Sequence, residues 1–216
     1  MFFCKDMKPL STLVTSRPAA RLIALGLGLL PAALMAHPGH YHPPGEEDEF
    51  DALTAGLAHP FSGVDHMLLS LAAGWIAFMP GAAKARVPFA AFLATMMAGA
   101  WIGRVLQGAA GLEIMIALTL LVAGAIFLLG HRAKRLVITA AISAAGFVHG
   151  FAHGAEATPQ ISFPAYSTGF LLGTAILMGI GCVIHKATAR LNQLLIPRIA
   201  GGILMAAGSV ALTQAL

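Results

Sequence analysis

Six side chains in two short stretches have the chemistry to hold a metal cation. The first stretch is His59-Pro60-Phe61-Ser62-Gly63-Val64-Asp65-His66, and the second is His149-Gly150-Phe151-Ala152-His153-Gly154-Ala155-Glu156. At 3.6 residues per helical turn, residues seven apart lie two turns apart on one face. His59 and His66 are so spaced, with Asp65 beside them. His149 and His153 are one turn apart, and Glu156 continues the same stripe. Neutral imidazole combined with carboxylate suits a borderline divalent first-row ion such as Ni²⁺, Co²⁺ or Zn²⁺. Thiolate ligands are not on offer for Cu(I): the chain has two cysteines, Cys4 and Cys182. Cys4 falls in a segment expected to be removed, so no internal disulfide is expected and Cys182 reads as helix packing.

These residues sit in a chain of 216 residues that is 58% hydrophobic and 10% charged. Soluble domains carry about 25% charged residues, so the composition points to an all-α, polytopic membrane protein. Six apolar stretches are expected to cross the bilayer, at 54–78, 87–107, 112–130, 136–157, 165–185 and 197–216. About 20 residues at 1.5 Å each span ~30 Å of hydrocarbon. Basic residues set the orientation. Lys84, Arg86, Arg132, Lys134, Arg135, Lys186, Arg190 and Arg198 fall on one side, and Arg104 alone on the other. The first group is expected in the cytoplasm of a bacterium, which places the chain in the inner membrane with mature N- and C-termini in the periplasm. Trp75 and Trp101 suit interfacial anchoring, and Met67, Met96, Met97 and Met178 suit core filling.

Within the spans, acids are rare. An acid at the bilayer centre costs roughly 2.5–3.5 kcal/mol on insertion scales. Asp65 and Glu156 fall inside predicted spans with no intramembrane Lys or Arg to pair with, whereas Glu113 sits at a helix start, where a carboxylate is tolerated. A visiting cation is the natural partner. Counting residues from the periplasmic side puts both clusters in the outer half of the membrane, as one site or a short ladder. Two plainer readings stand beside this. Gly146, Gly150 and Gly154 form a small-residue stripe suited to close helix packing, and the two acids could simply hydrogen-bond the histidines.

The N-terminus reads as a targeting segment. Lys5, Lys8, Arg17 and Arg21 precede an apolar run from Leu22 to Leu30, and small residues lead to Ala36. This is the pattern of a secretory signal peptide over residues 1–36; an uncleaved signal anchor is the other reading. Residues 37–53 would then form a periplasmic tail, and residues 54–216 the six-helix domain. His37, His40 and His42 in the tail, followed by Glu46, Glu47, Asp48, Glu49 and Asp51, could capture metal weakly and raise its local concentration. A solvated tail without metal is the alternative.

At the two clusters the sequence resembles the HupE/UreJ family of nickel permeases. The family motif of His, five residues and Asp-His matches His59, Asp65 and His66. The motif Phe-His-Gly-x-Ala-His-Gly-x-Glu matches His149, Gly150, Ala152, His153, Gly154 and Glu156, with Val148 where the family has Phe. The resemblance covers the whole chain, including the targeting segment and the six spans. It implies passive or gradient-driven entry of Ni²⁺ from the periplasm to serve hydrogenase or urease maturation. Nickel as cargo comes from this resemblance; the residues themselves indicate only a divalent metal.

The segment 55–61 resembles 145–151, which suggests two three-helix halves. An odd number of spans per half inverts the second, as in many transporters. The expected partners are a divalent metal ion and membrane lipid, with no nucleic acid and no prosthetic group; homo-oligomerisation stays open. His131 and His185 are weaker candidates at the cytoplasmic face. Since imidazole binds metal only when unprotonated, uptake is expected to fall below an external pH of roughly 6.5. The rival reading is a membrane-embedded zinc-dependent hydrolase, against which the His-Glu-x-x-His motif is missing; a third is a metal sensor or accessory subunit that does not transport.

Overall fold

The computed structural model describes residues 48–79, 82–107, 111–129, 134–188, 191 and 195–216. The targeting segment, His37, His40, His42 and His131 lie outside the described residues. All regular structure among the described residues is helical: α1 (Glu49–Ser62), α2 (Val64–Phe78), α3 (Ala82–Leu106), α4 (Leu112–Leu129), α5 (Arg135–Glu156), α6 (Phe163–Thr188) and α7 (Leu195–Ala215). The protein is a polytopic membrane protein. Five helices, α3 to α7, are long and apolar enough to cross a bilayer. A sixth crossing is completed if α1 and α2 count as one broken span. Large apolar side chains such as Val105, Leu136, Leu172 and Val183 face outward. Contiguous apolar surface of this kind needs lipid rather than water around it.

The expected first span, 54–78, differs from the structure in two ways. The helix starts earlier, at Glu49, because Asp48 takes the N-cap position with its side chain toward the Phe50 amide, and Glu49 and Asp51 lie in the first turn. Acidic groups there complement the positive end of the helix dipole. The span is also not one helix: it bends by 84° at Gly63. The other five stretches match α3 to α7 to within a few residues.

Packing follows three intimate pairs: α3 with α5, the α1–α2 arm with α6, and α4 with α7. The first two pairs are sewn by glycines in both directions. A Cβ added to Gly146, Gly150 or Gly154 would meet the carbonyls of Phe92, Met96 and Ala100, and one on Gly99 or Gly103 those of Phe147 and Phe151. Between the α1–α2 arm and α6, Gly56 and Gly74 lie on the carbonyls of Tyr166 and Met178, and Gly169 and Gly181 on those of Leu53 and Leu71. Without a hydrophobic drive in lipid, such close backbone approach supplies the van der Waals contact that holds helices together. The expected small-residue stripe of α5 is therefore a real packing face.

Trp101 is 46% exposed, as an interfacial anchor should be, but Trp75 is a correction. It is buried, with Phe127 at 5.4 Å and His185 at 5.7 Å between ring centroids. Cys182 is buried and donates to the Gly74 carbonyl, and Met96 and Met178 are fully packed core residues.

Candidate metal centre

The break in the first span is built from local chemistry. Pro60 lies inside α1 and brings no amide hydrogen to its ladder. The Ser62 hydroxyl donates to the His59 carbonyl at 2.7 Å, satisfying one of the orphan acceptors at the end of α1. Gly63 is extended, and its carbonyl accepts from the Met67 amide at 3.0 Å to start α2. Asp65 and His66 thus fall in the first turn of a new helix. There the dipole and free amides favour the carboxylate, and discontinuous helices place ion-binding groups at depth in many transporters.

The turn changes how His59 and His66 meet. On a continuous helix they would be two turns apart along the axis, about 10 Å. Across the bend their ring centroids are 5.9 Å apart. His153 from α5 lies between them, its ring centroid 4.6 Å from each. One donor atom from each of His59, His66 and His153 lies within 4.8 Å of the other two. His149 stands one step away, with its ring 4.7 Å from that of His66. The two sequence clusters therefore form one contiguous group of four imidazoles. Asp65 reaches it through His66, with Oδ1 3.2 Å from His66 Nδ1.

That pair assigns the His66 ring. An ionised carboxylate only accepts, so Nδ1 carries the hydrogen and Nε2 keeps its lone pair. His66 Nε2 is buried with no hydrogen-bond partner among the described residues, and so are both ring nitrogens of His153. His153 is 0% exposed. Leaving a buried polar group unsatisfied costs about 1–3 kcal/mol. Three such nitrogens lie close together, and since a neutral imidazole keeps a hydrogen on one nitrogen, the two rings can offer one lone pair each. Phe170 of α6 stacks on His153 at 4.6 Å with an interplanar angle of 13°, and Tyr166 lies 5.9 Å from His59. These aromatics hold the rings in place without competing for their nitrogens.

Glu156 is not one of the three residues whose donor atoms lie within 4.8 Å of one another. It is the last residue of α5 and is exposed. The nearby cation, Arg104, donates to the carbonyls of Ala157, Thr158 and Pro159 at 2.8, 3.0 and 2.9 Å. The guanidinium is thus committed to the chain just past the end of α5. His185 lies apart, half-buried against Trp75.

The structure adds residues that the sequence reading passed over. A cavity of about 600 Å³ between α2, α4 and α7 is lined by Asp65, Glu113 and Gln214 among apolar residues. Glu113, read from sequence only as a tolerated helix-start acid, thus shares a cavity with Asp65; the pairing of a first-turn acid with an intramembrane one was the available signal. Thr119 touches His149, with Oγ1 2.9 Å from Nε2. Further along α2, α4 and α5 the lining is apolar except for Thr119, with Leu69, Ile76, Ile126 and Ile142 around about 10 Å³ of space. That is room for no more than about one water molecule. The arrangement is an acid-lined vestibule, four imidazoles, then a dry seam.

Comparison with known proteins agrees with these features. A family model described as "HupE / UreJ protein" matches residues 25–212. The chain is also 34% identical over 167 residues to Protein HupE of Rhizobium leguminosarum bv. viciae, covering 75% of this chain and 85% of that one. No solved structure matches the chain.

Proposed function

The chain belongs to the HupE/UreJ family, a family of nickel- and cobalt-transporter type rather than of enzymes, and from that premise we propose that it carries Ni²⁺ into the cytoplasm through the four-histidine group. Co²⁺ is the nearest alternative cargo. The observation that carries this reading is the set of buried, unpartnered nitrogens on His66 and His153 at the meeting point of α1, α2 and α5. His59, His66 and His153 take the ion from its water shell, His149 receives it next, and Asp65 offsets its charge. Glu156, at the exposed end of α5, acts at the mouth. Glu113 and Asp65 make the vestibule attractive to a cation, and the basic residues at Lys84, Arg86, Lys134 and Arg135 support a periplasmic placement of its open side.

Several finer points belong to the same reading. The membrane is the bacterial inner membrane, both mature termini are periplasmic, and residues 1–36 are a cleaved signal. His37, His40 and His42 gather metal ahead of the vestibule. The metal is cargo and no prosthetic group is involved; lipid is the remaining partner, and the delivered nickel serves hydrogenase or urease maturation. An inverted three-plus-three repeat also has support. Exchanging the first three spans with the last three turns the α3–α5 pair into the α6 and α1–α2 pair, and the α4–α7 pair into itself.

The test is radioactive nickel accumulation in whole cells, with competing cobalt and zinc. His66→Ala and His153→Ala are expected to lose at least about tenfold in uptake, since even the outer-shell partners of metal ligands are typically worth about 10–100-fold, while inserting normally. Wild-type uptake at these variants' level would sink the proposal.

A further inference from the structure

Thr119 stands in the middle of α4, in a span with no histidine and outside both sequence clusters, yet it makes the hydrogen bond that holds His149. Its hydroxyl oxygen lies 2.6 Å from the Ile116 carbonyl and 2.9 Å from His149 Nε2. A hydroxyl has one hydrogen to give and two lone pairs to accept with. A carbonyl oxygen can only accept, so the 2.6 Å contact requires the Thr119 hydrogen. Nε2 of His149 must then be the donor, and the hydrogen it carries leaves Nδ1 with the ring's lone pair. The opposite assignment would set two acceptor oxygens face to face in a buried site, where an unmet hydrogen bond is costly. Thr119 is 8% exposed and His149 2%, so both groups are largely shielded from bulk solvent.

We propose that Thr119 is a positioning residue for ion transfer. By accepting the Nε2 hydrogen of His149, it fixes the tautomer in which Nδ1 is the nitrogen offered to the ion. Asp65 performs the mirror task on His66, holding Nδ1–H so that Nε2 is offered. Neighbouring rings 4.7 Å apart thus present different nitrogens, and each is locked by an oxygen from a different helix turn. Metal-bound histidines generally have their second nitrogen fixed in this way. The inference rests on the reading of the cluster as the path of Ni²⁺.

Nitrogen NMR of isotope-labelled histidine in purified, metal-free protein tests it directly. The His149 signals are identified by their absence in His149→Gln. Wild-type protein is expected to show a protonated Nε2 and an unprotonated Nδ1 at His149. Thr119→Val, which keeps the shape and removes the hydroxyl, is expected to give mixed tautomers. It should also weaken Ni²⁺ binding by about tenfold or more in calorimetry, with the thermal midpoint of the metal-free protein close to wild type. Thr119→Ser should restore both signatures. A hydrogen on Nδ1 in the wild type, or a valine variant with wild-type spectrum and affinity, overturns the proposal. If the wild-type spectrum is as expected but the protein neither binds nor accumulates Ni²⁺, the transport reading fails while the tautomer assignment stands.

Discussion

In α5 the histidines ride on an unbroken helix, whereas in the α1–α2 arm they ride on a chain that turns by 84° at Gly63. The first arrangement sets His149 and His153 one turn apart, so an ion moving between them travels along the helix. The second folds His59 and His66 to either side of His153, an arrangement that, on the proposed reading, would enclose an ion rather than pass it along. The straight arm is rigid because its glycines are spent on packing: Gly146, Gly150 and Gly154 bring α3 against its backbone. The bent arm has its glycine at the corner. Gly63 has φ −98° and ψ 126°, a conformation open to any residue, so its role there is not backbone freedom. It is space: a Cβ would lie 2.9 Å from Asp65 Oδ1 and 3.1 Å from His66 Nδ1. Glycine secures a helix contact in one arm and an acid–imidazole pair in the other.

Substitutions separate the two roles. The largest effect is expected at Gly150→Leu, whose side chain would drive into the Met96 carbonyl. Overpacking of this kind costs about 1–3 kcal/mol or more, and the loss should appear as little or no monodisperse protein after detergent extraction. Gly63→Ala should fold and extract normally yet displace Asp65 from His66, lowering nickel uptake about tenfold. Uptake unchanged in that variant would show the acid–imidazole pair to be dispensable. The smallest effect is expected at Pro60→Ala. Pro60 packs against Gly173 in mid-helix, while the bend itself lies at Gly63. Trimming the ring costs on the order of 1 kcal/mol of packing and should leave uptake within about threefold of wild type; a larger loss would move the origin of the bend to the proline.

Much of this was legible in the residues. Ligand types, the near absence of other intramembrane charge, and hydropathy placed both clusters in the outer half of the membrane, as one site or a short ladder, and the structure brings the four imidazoles together, with Asp65 against His66. The break at Gly63 was not legible because glycine within an apolar stretch is equally compatible with plain packing, and the close fit of Asp65 and His66 around that glycine shows only in three dimensions. Thr119 was hidden for a different reason. A lone threonine in an apolar helix usually bonds its own preceding turn, and Thr119 does so; only the approach of α5 gives its second lone pair a partner. Trp75 was misplaced because nearness to a helix end in sequence does not reveal the neighbouring helix that covers it. Glu156 reads as part of the α5 stripe by spacing, and it is the residue at which that helix ends.

The separation of the three imidazole donors bears on how fast the ion can leave. Bonds of about 2.1 Å let a single ion touch two donors no more than about 4.2 Å apart, whereas the donors of His59, His66 and His153 are spread over as much as 4.8 Å. To grip with all three, the rings must be free to close in by small side-chain rotations, and any work of closing in is subtracted from the affinity. On the proposed transport reading, a snug cage would hold the cation and stall the cycle, whereas a looser one would shorten each residence, exchanging tightness of hold for ions delivered per second.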